Sequence, residues 1–360
     1  MLRKKDFAGK PVNNNMKGKQ PPRPFFKKKW FRSAALVAIL LPIGIFIYNT
    51  DFRMVLRELS GVGFRFTYIL ATTVAAYLLG TIAWWVCLGT ERSKISLLRL
   101  FLIRQVAETV GLYNPTSVVG GDLLKNELLK PHGIEKNISS ASIVVSRVTA
   151  ILSQLTLVAV AAAWLCYYTW DHTPLAVRLG VGVLVILAVG FHIVFLQKLK
   201  KTGHAGAREP EIPTSFIKKT RDQIGTLIKQ TQTFFIYRKR EFWMSYLFFA
   251  LHWIVGSIEF YLILVFLGFD ISLMHGILLD MGVILFKSIG AFIPGQIGIE
   301  EIGNKLVLMA IGIQAASTWL TVSILRRCRQ LFWIIVGMIS FIFLRKTETL
   351  KLFSYGSSVR

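Results

Sequence analysis

A chain of 360 residues that is 53% hydrophobic, with a mean hydropathy of +0.53, is too apolar for a soluble domain of its size. Its formal charge of +24 invites a nucleic-acid partner, but Lys and Arg gather beside long apolar runs, as the positive-inside rule expects, and no RNA- or DNA-binding motif accompanies them. Cys87, Cys166 and Cys328 lie in or beside those runs, at spacings that make neither a disulfide framework nor a zinc site.

Residues 1–32 are polar and basic, with Pro21-Pro22 and Lys27-Lys28-Lys29, and predict a disordered tail on an anionic membrane face. No small-residue cleavage site clearly follows, so Ala34–Tyr48 reads as an uncleaved first span. After a polar connection at 49–65, Phe66–Leu88 reads as the second span, with Trp84 and Trp85 as interface anchors. Residues 89–137 are interrupted: a basic lead-in (Arg99, Arg104), then Asn114-Pro115, then Gly120-Gly121-Asp122-Leu-Leu-Lys125. Ile138–Leu165 is the third span and carries Arg147; Trp170–Pro174 turns into a fourth at Ala176–Leu196.

Residues 197–241 form the largest polar segment. Ile217, Ile224, Ile228 and Phe235 share a helical face there, so it is either a helix lying on an anionic leaflet or a solvated linker. Phe242–Phe266 is the fifth span, with His252 and Glu259; a membrane histidine of this kind is commonly a hydrogen-bonded packing residue. Residues 270–316 are interrupted again. An apolar run from Met281 stops at Pro294-Gly295 after about 13 residues, where a crossing needs roughly 20, and Gly298-Ile-Glu300-Glu301 follows. Thr318–Leu344 is the sixth span, carrying Arg326, Arg327 and Arg329, and 345–360 form a basic tail.

The two interruptions resemble each other. A shift of 179 positions superposes Pro115 on Pro294, Asp122 on Glu301, Gly133-Ile134 on Gly312-Ile313, and Arg147 on Arg326. Broken backbone is tolerated in hydrocarbon only where protein or a water-filled cavity surrounds it, so both elements (97–135 and 270–316) read as re-entrant half-helix pairs. The fold expected is an all-α integral membrane protein. It has about six transmembrane helices and two re-entrant elements, in an inverted 3+3 repeat over 33–196 and 242–344, with both termini cytoplasmic.

Charged side chains at that depth mark the candidate site. Asp122 and Glu301 each follow a break proline by seven residues: they either cap the next helix or bind a cationic group. Arg147 and Arg326 either pair with Asp122 and Glu301 respectively or clamp a phosphate. Glu300, Lys125, Lys287, Asp280 and Glu259 complete the set, with Pro115, Gly120, Gly121, Pro294, Gly295 and Gly298 as helix breaks. No phosphate-binding loop, zincin helix, nucleophile elbow or dinucleotide fingerprint occurs, so no enzyme activity, metal or cofactor is expected.

The stretches Asn114–Lys125 and Pro294–Glu301 resemble the lysylphosphatidylglycerol synthase transmembrane region, a flippase-like family, and the likeness runs from about residue 34 to 344. Gln296 stands where the family pattern has a second glycine, while Glu301 fills its acidic place. The resemblance implies a polytopic inner-membrane protein that moves or handles lipids between leaflets. The aminoacyl-transferase domain that follows in the synthases is not found before Arg360, so lysyl transfer is not expected from this chain alone. The function expected is translocation of a phosphate-bearing lipid. A secondary transporter of a small anion, or a non-catalytic scaffold for a membrane-bound lipid- or glycan-modifying enzyme, are the alternatives.

Overall fold

The computed structural model describes residue 57 and residues 60–113, 117–168, 175–200, 216–289 and 298–357. The expected tail at 1–32, the span Ala34–Tyr48, the turn at 170–174, and the break residues Pro115, Pro294 and Gly295 lie outside the described residues. Among the described residues, all regular structure is helical. In chain order the helices are α1 (Phe66–Cys87), α2 (Leu97–Tyr113), α3 (Ser117–Leu129), α4 (Lys136–Tyr168), α5 (Leu175–Lys200), α6 (Phe216–Tyr237), α7 (Lys239–Phe266), α8 (Leu273–Ile289), α9 (Ile299–Ala310) and α10 (Ala316–Ser357).

Five of these are long and apolar enough to cross a membrane: Ser60–Cys87, Lys136–Tyr167, Arg178–Lys200, Lys239–Phe266 and Ala316–Leu344. They correspond to the second through sixth expected spans. The short helices behave differently. α2, α3, α8 and α9 have 17, 13, 17 and 12 residues, each below the roughly 20 that one crossing needs. They pack in pairs, α2 on α3 and α8 on α9.

The molecule is built around α1 and α7, which lie against each other along most of their length. Polar links stitch that contact. His252 Nδ1 donates to the Ala76 carbonyl at 2.6 Å, so the imidazole is a packing group. Cys87 and Ser245 are 3.2 Å apart, and Ser245 also meets Thr149 of α4 at 2.8 Å. Outside this pair, α2 packs on α10, and α8 packs on α4. Buried apolar clusters fill the joints: Trp84, Leu100, Ile103, Val145 and Phe242 in one; Ile69, Phe260, Ile263, Leu279 and Leu325 in another.

Two expectations need correction. Residues 60–65 are helical and lead straight into α1, rather than forming a polar connection. Trp84 is not an interface anchor: it is buried, donates to Ser142 Oγ at 3.2 Å and supports the Lys125 ammonium over its ring. Beyond the expected span end at Leu344, α10 runs on through the basic stretch to Ser357. In the polar segment 197–241, α6 packs on α4, α5 and α7, and Phe235 is buried edge-on against Phe242.

Helix ends follow from glycine. After α7, Gly268 sits at φ 87, its N–H bonded to the Val265 carbonyl, while the Phe269 N–H reaches back to Leu264. After α9, Gly312 at φ 89 and Ile313 repeat that double closure on Met309 and Leu308. Both are left-handed caps that only glycine enters without a Cβ clash. Gly268→Ala should therefore lower stability by about 1 kcal/mol, read as a lower melting midpoint in detergent, without altering α7 packing.

Candidate functional site

Among the described residues, two groups of charged side chains join the short helices to the bundle. The first joins α2, α3 and α4. Arg147 lies about 16 Å along α4 from its start, at 1.5 Å per residue; its Nη2 donates to Asp122 of α3 at 2.8 Å, and its Nε lies 2.5 Å from the other carboxylate oxygen. Lys125, one turn after Asp122, reaches Glu108 of α2 at 3.2 Å and Asp122 at 3.7 Å. Arg104 lies 3.8 Å from Glu108, and it donates to the Tyr77 carbonyl of α1 at 2.8 Å. The close approach of α3 to α2 needs Gly121, where a Cβ would come within 2.9 Å of the Ala107 carbonyl. Gly120 lies beside it on α3.

The second group joins α7, α8, α9 and α10. Arg326 is its hub. Its guanidinium meets Glu300 at 3.0 Å and both Glu259 and Asp280 at 3.5 Å, and lies 4.0 Å from the Phe260 ring centroid. Lys287 supports Glu300 at 3.3 Å, Arg329 supports Glu259 at 2.9 Å, and Ser257 donates to Asp280 at 3.2 Å. Three cations thus face three carboxylates in a neutral, multiply bonded network. This is the condition under which buried charge is tolerated.

The expected pairing of Arg326 with Glu301 does not occur. Arg326 takes Glu300, while Glu301 takes Arg327. The cause is helix register at the start of α9. Gly298, at φ 84, precedes the first turn; Glu301, three residues on, accepts the Gly298 N–H at 2.7 Å and so caps the helix. Glu300, about 100° around the axis, turns into the bundle and is buried.

The two groups differ in access. In the second, the Arg326 and Glu259 side chains are 4% and 2% exposed. In the first, Arg147 and Glu108 are 38% and 55% exposed. The first also carries an unbalanced charge, with Arg104, Lys125 and Arg147 against Glu108 and Asp122. Tyr77 of α1 connects them. Arg104 lies over its ring at 5.7 Å, and Glu108, Glu259 and Arg329 are within electrostatic reach of the phenol. Sequence reasoning missed Arg104 and Glu108 as site residues. The available signal was their four-residue spacing on a helix too short to cross the membrane.

Neither the curated proteins nor the solved structures yield a match to this chain. A family model does: the lysylphosphatidylglycerol synthase TM region matches residues 31–337. That interval contains both charged groups, all four short helices and most of each apolar span. The chain is thus a multi-pass membrane protein and belongs to the lysylphosphatidylglycerol synthase transmembrane-region family.

Proposed function

We propose that this protein translocates a phosphate-bearing lipid between leaflets, with the headgroup engaging Arg147 and its neighbours. The observation that carries this reading is the first charged group, which is net positive and partly exposed at Arg147 and Glu108. A guanidinium fork and an ammonium held together in a low-dielectric site suit phosphate oxygens. Asp122 would hold Arg147 in place until a phosphate competes for it. The sealed second group would act as a structural lock. No chemical step is required of any residue, so the protein is read as a carrier and not an enzyme.

A correspondence between the two halves at a shift of 179 residues supports the reading. Adding 179 carries the end of α1 at Cys87 to the end of α7 at Phe266, and left-handed Gly89 and Gly133 to left-handed Gly268 and Gly312. The same shift relates α2, α3 and α4 to α8, α9 and α10, and the contact of α2 with α10 to that of α8 with α4. We take the two short pairs as re-entrant elements entering from opposite faces, in an inner membrane with both termini cytoplasmic.

Leaflet exchange of fluorescent phospholipids in proteoliposomes tests the proposal. Arg147→Ala should reduce protein-dependent exchange by about tenfold or more, the scale of losing one charge-assisted contact. Exchange indifferent to Arg147 across a panel of anionic and zwitterionic lipids would refute it. The direct Arg147–Asp122 pair also suits a scaffold for a membrane-bound lipid- or glycan-modifying enzyme, in which the pair is purely structural. In that case the reversed pair, Asp122→Arg with Arg147→Asp, would keep full function; lipid carriage predicts that it does not.

A further inference from the structure

We propose that an apolar groove between α4 and α5, floored by α8, holds one hydrocarbon chain of the lipid whose headgroup meets Arg147; this rests on the headgroup reading above. The groove encloses about 410 Å³, within the usual size range of ligand pockets. Its walls are Leu155 and Val158 of α4, Gly180, Val183 and Leu187 of α5, and Leu285 of α8. Those side chains carry no polar group, so the groove offers nothing to an ion or a sugar.

What faces the groove follows from its depth. α4 and α5 are both apolar enough to span the membrane, and only 6% of the most apolar stretch of α5 is buried in the protein. The solvent beside them is therefore hydrocarbon. Continuity with the charged group selects the occupant further. Arg147, Ile151, Leu155 and Val158 follow each other at helical spacing of four, four and three residues, which puts them on one face of α4. Ile151 between them is 53% exposed, so the strip is open from the guanidinium to the groove. Arg147 and Val158 are eleven residues apart, about 16 Å along the helix, close to half of the roughly 30 Å hydrocarbon thickness. A phosphate at Arg147 would place its acyl or prenyl chain along this strip.

The gap is also held open. On the other side of α4, Thr156 meets His192 of α5 at 3.2 Å and Tyr246 of α7 at 2.6 Å. His192 in turn contacts the Ala188 carbonyl at 3.2 Å. The Thr156–His192 contact ties α5 to α4 through its polar side and leaves the glycine-bearing wall free. A Cβ built on Gly180 meets nothing within 4 Å, and the same is true of Gly182, which does not line the groove.

The two glycines supply the experiment. The full chain is placed in nanodiscs with phosphatidylglycerol, or in a parallel arm with a polyprenyl phosphate, bearing a mid-chain diazirine. Photoadducts are then mapped by mass spectrometry. Adducts should concentrate on Leu155, Val158, Val183 and Leu187, and the arm that labels identifies the chain type. Gly180→Leu, whose Cβ meets no atom within 4 Å, should cut this labelling about tenfold, the effect of excluding two or so methylenes. Gly182→Leu should leave it unchanged. Equal labelling of the groove and of the exposed α10 residues Ile335 and Ile339 would overturn the assignment. So would photocross-links from the groove to another protein segment, whether from this chain or a second copy. If Gly180→Leu has no effect while exchange still depends on Arg147, the groove falls and the headgroup reading stands. Groove labelling sensitive to Gly180→Leu, with exchange indifferent to Arg147, keeps the chain site and removes the transport reading.

Discussion

Arg326→Ala should destabilise the folded protein by roughly 3–5 kcal/mol, the cost of removing one partner from a buried ion pair. The loss is large because one guanidinium serves three carboxylates. Without it, Glu300 keeps Lys287 and Glu259 keeps Arg329, while Asp280 keeps the Ser257 hydroxyl. The cation–π contact with Phe260 disappears as well. Arg326→Lys should recover only part of the loss, since an ammonium cannot offer a planar fork to three directions. Melting midpoints followed by size-exclusion chromatography in detergent read the difference. Arg147→Ala provides the contrast: its side chain is 38% exposed and Asp122 would keep Lys125, so its effect should be the smaller of the two. A midpoint drop for Arg326→Ala no larger than for Arg147→Ala would contradict the role of hub.

Gly337→Leu should be the second severe change. Gly337 lies where α10 meets α2, and a Cβ there would overlap the Thr109 hydroxyl and sit 3.0 Å from the Thr109 Cβ and 3.2 Å from the Gln105 carbonyl. Rotating the hydroxyl away would leave the Thr109 Cβ and the Gln105 carbonyl where they are. The helices must part, and Trp333, one turn earlier, is carried with them. Trp333 donates to Thr73 of α1 at 3.0 Å and packs on Tyr77 with ring centroids 4.5 Å apart. Overpacking of this kind costs about 1–3 kcal/mol, and Gly337→Ala should already show part of it. Faster amide hydrogen exchange in α2 and α10, with α5 unchanged, is the expected signature. Unaltered exchange in α2 would mean that the joint yields without cost.

The five spans were legible because their apolar runs exceed the bilayer thickness, a signal that survives ignorance of every partner. The charged groups were legible one residue at a time, because Asp122, Glu259 and Arg326 are costly in hydrocarbon wherever they pair. Partner choice was less accessible. Glu300 and Glu301 are adjacent, and which one faces Arg326 depends on where α9 starts, something fixed by Gly298 and not by hydropathy. Arg104 and Glu108 escaped notice because basic residues before a break read as surface charge. Only packing shows that Arg104 turns toward the Tyr77 carbonyl.

The Arg326 hub also bears on how the protein is made. Glu259 is synthesised 67 residues before Arg326 and Asp280 46 residues before it. During insertion α7 therefore enters the bilayer carrying a carboxylate whose counter-charge still lies inside the ribosome, at a cost on the order of 3 kcal/mol. The early helices must wait, held by α1 against α7, until the final span delivers its arginines and neutralises the acids already in place. A nascent chain released before that point would be left with bare acids in hydrocarbon, a recognisable flag for membrane quality control.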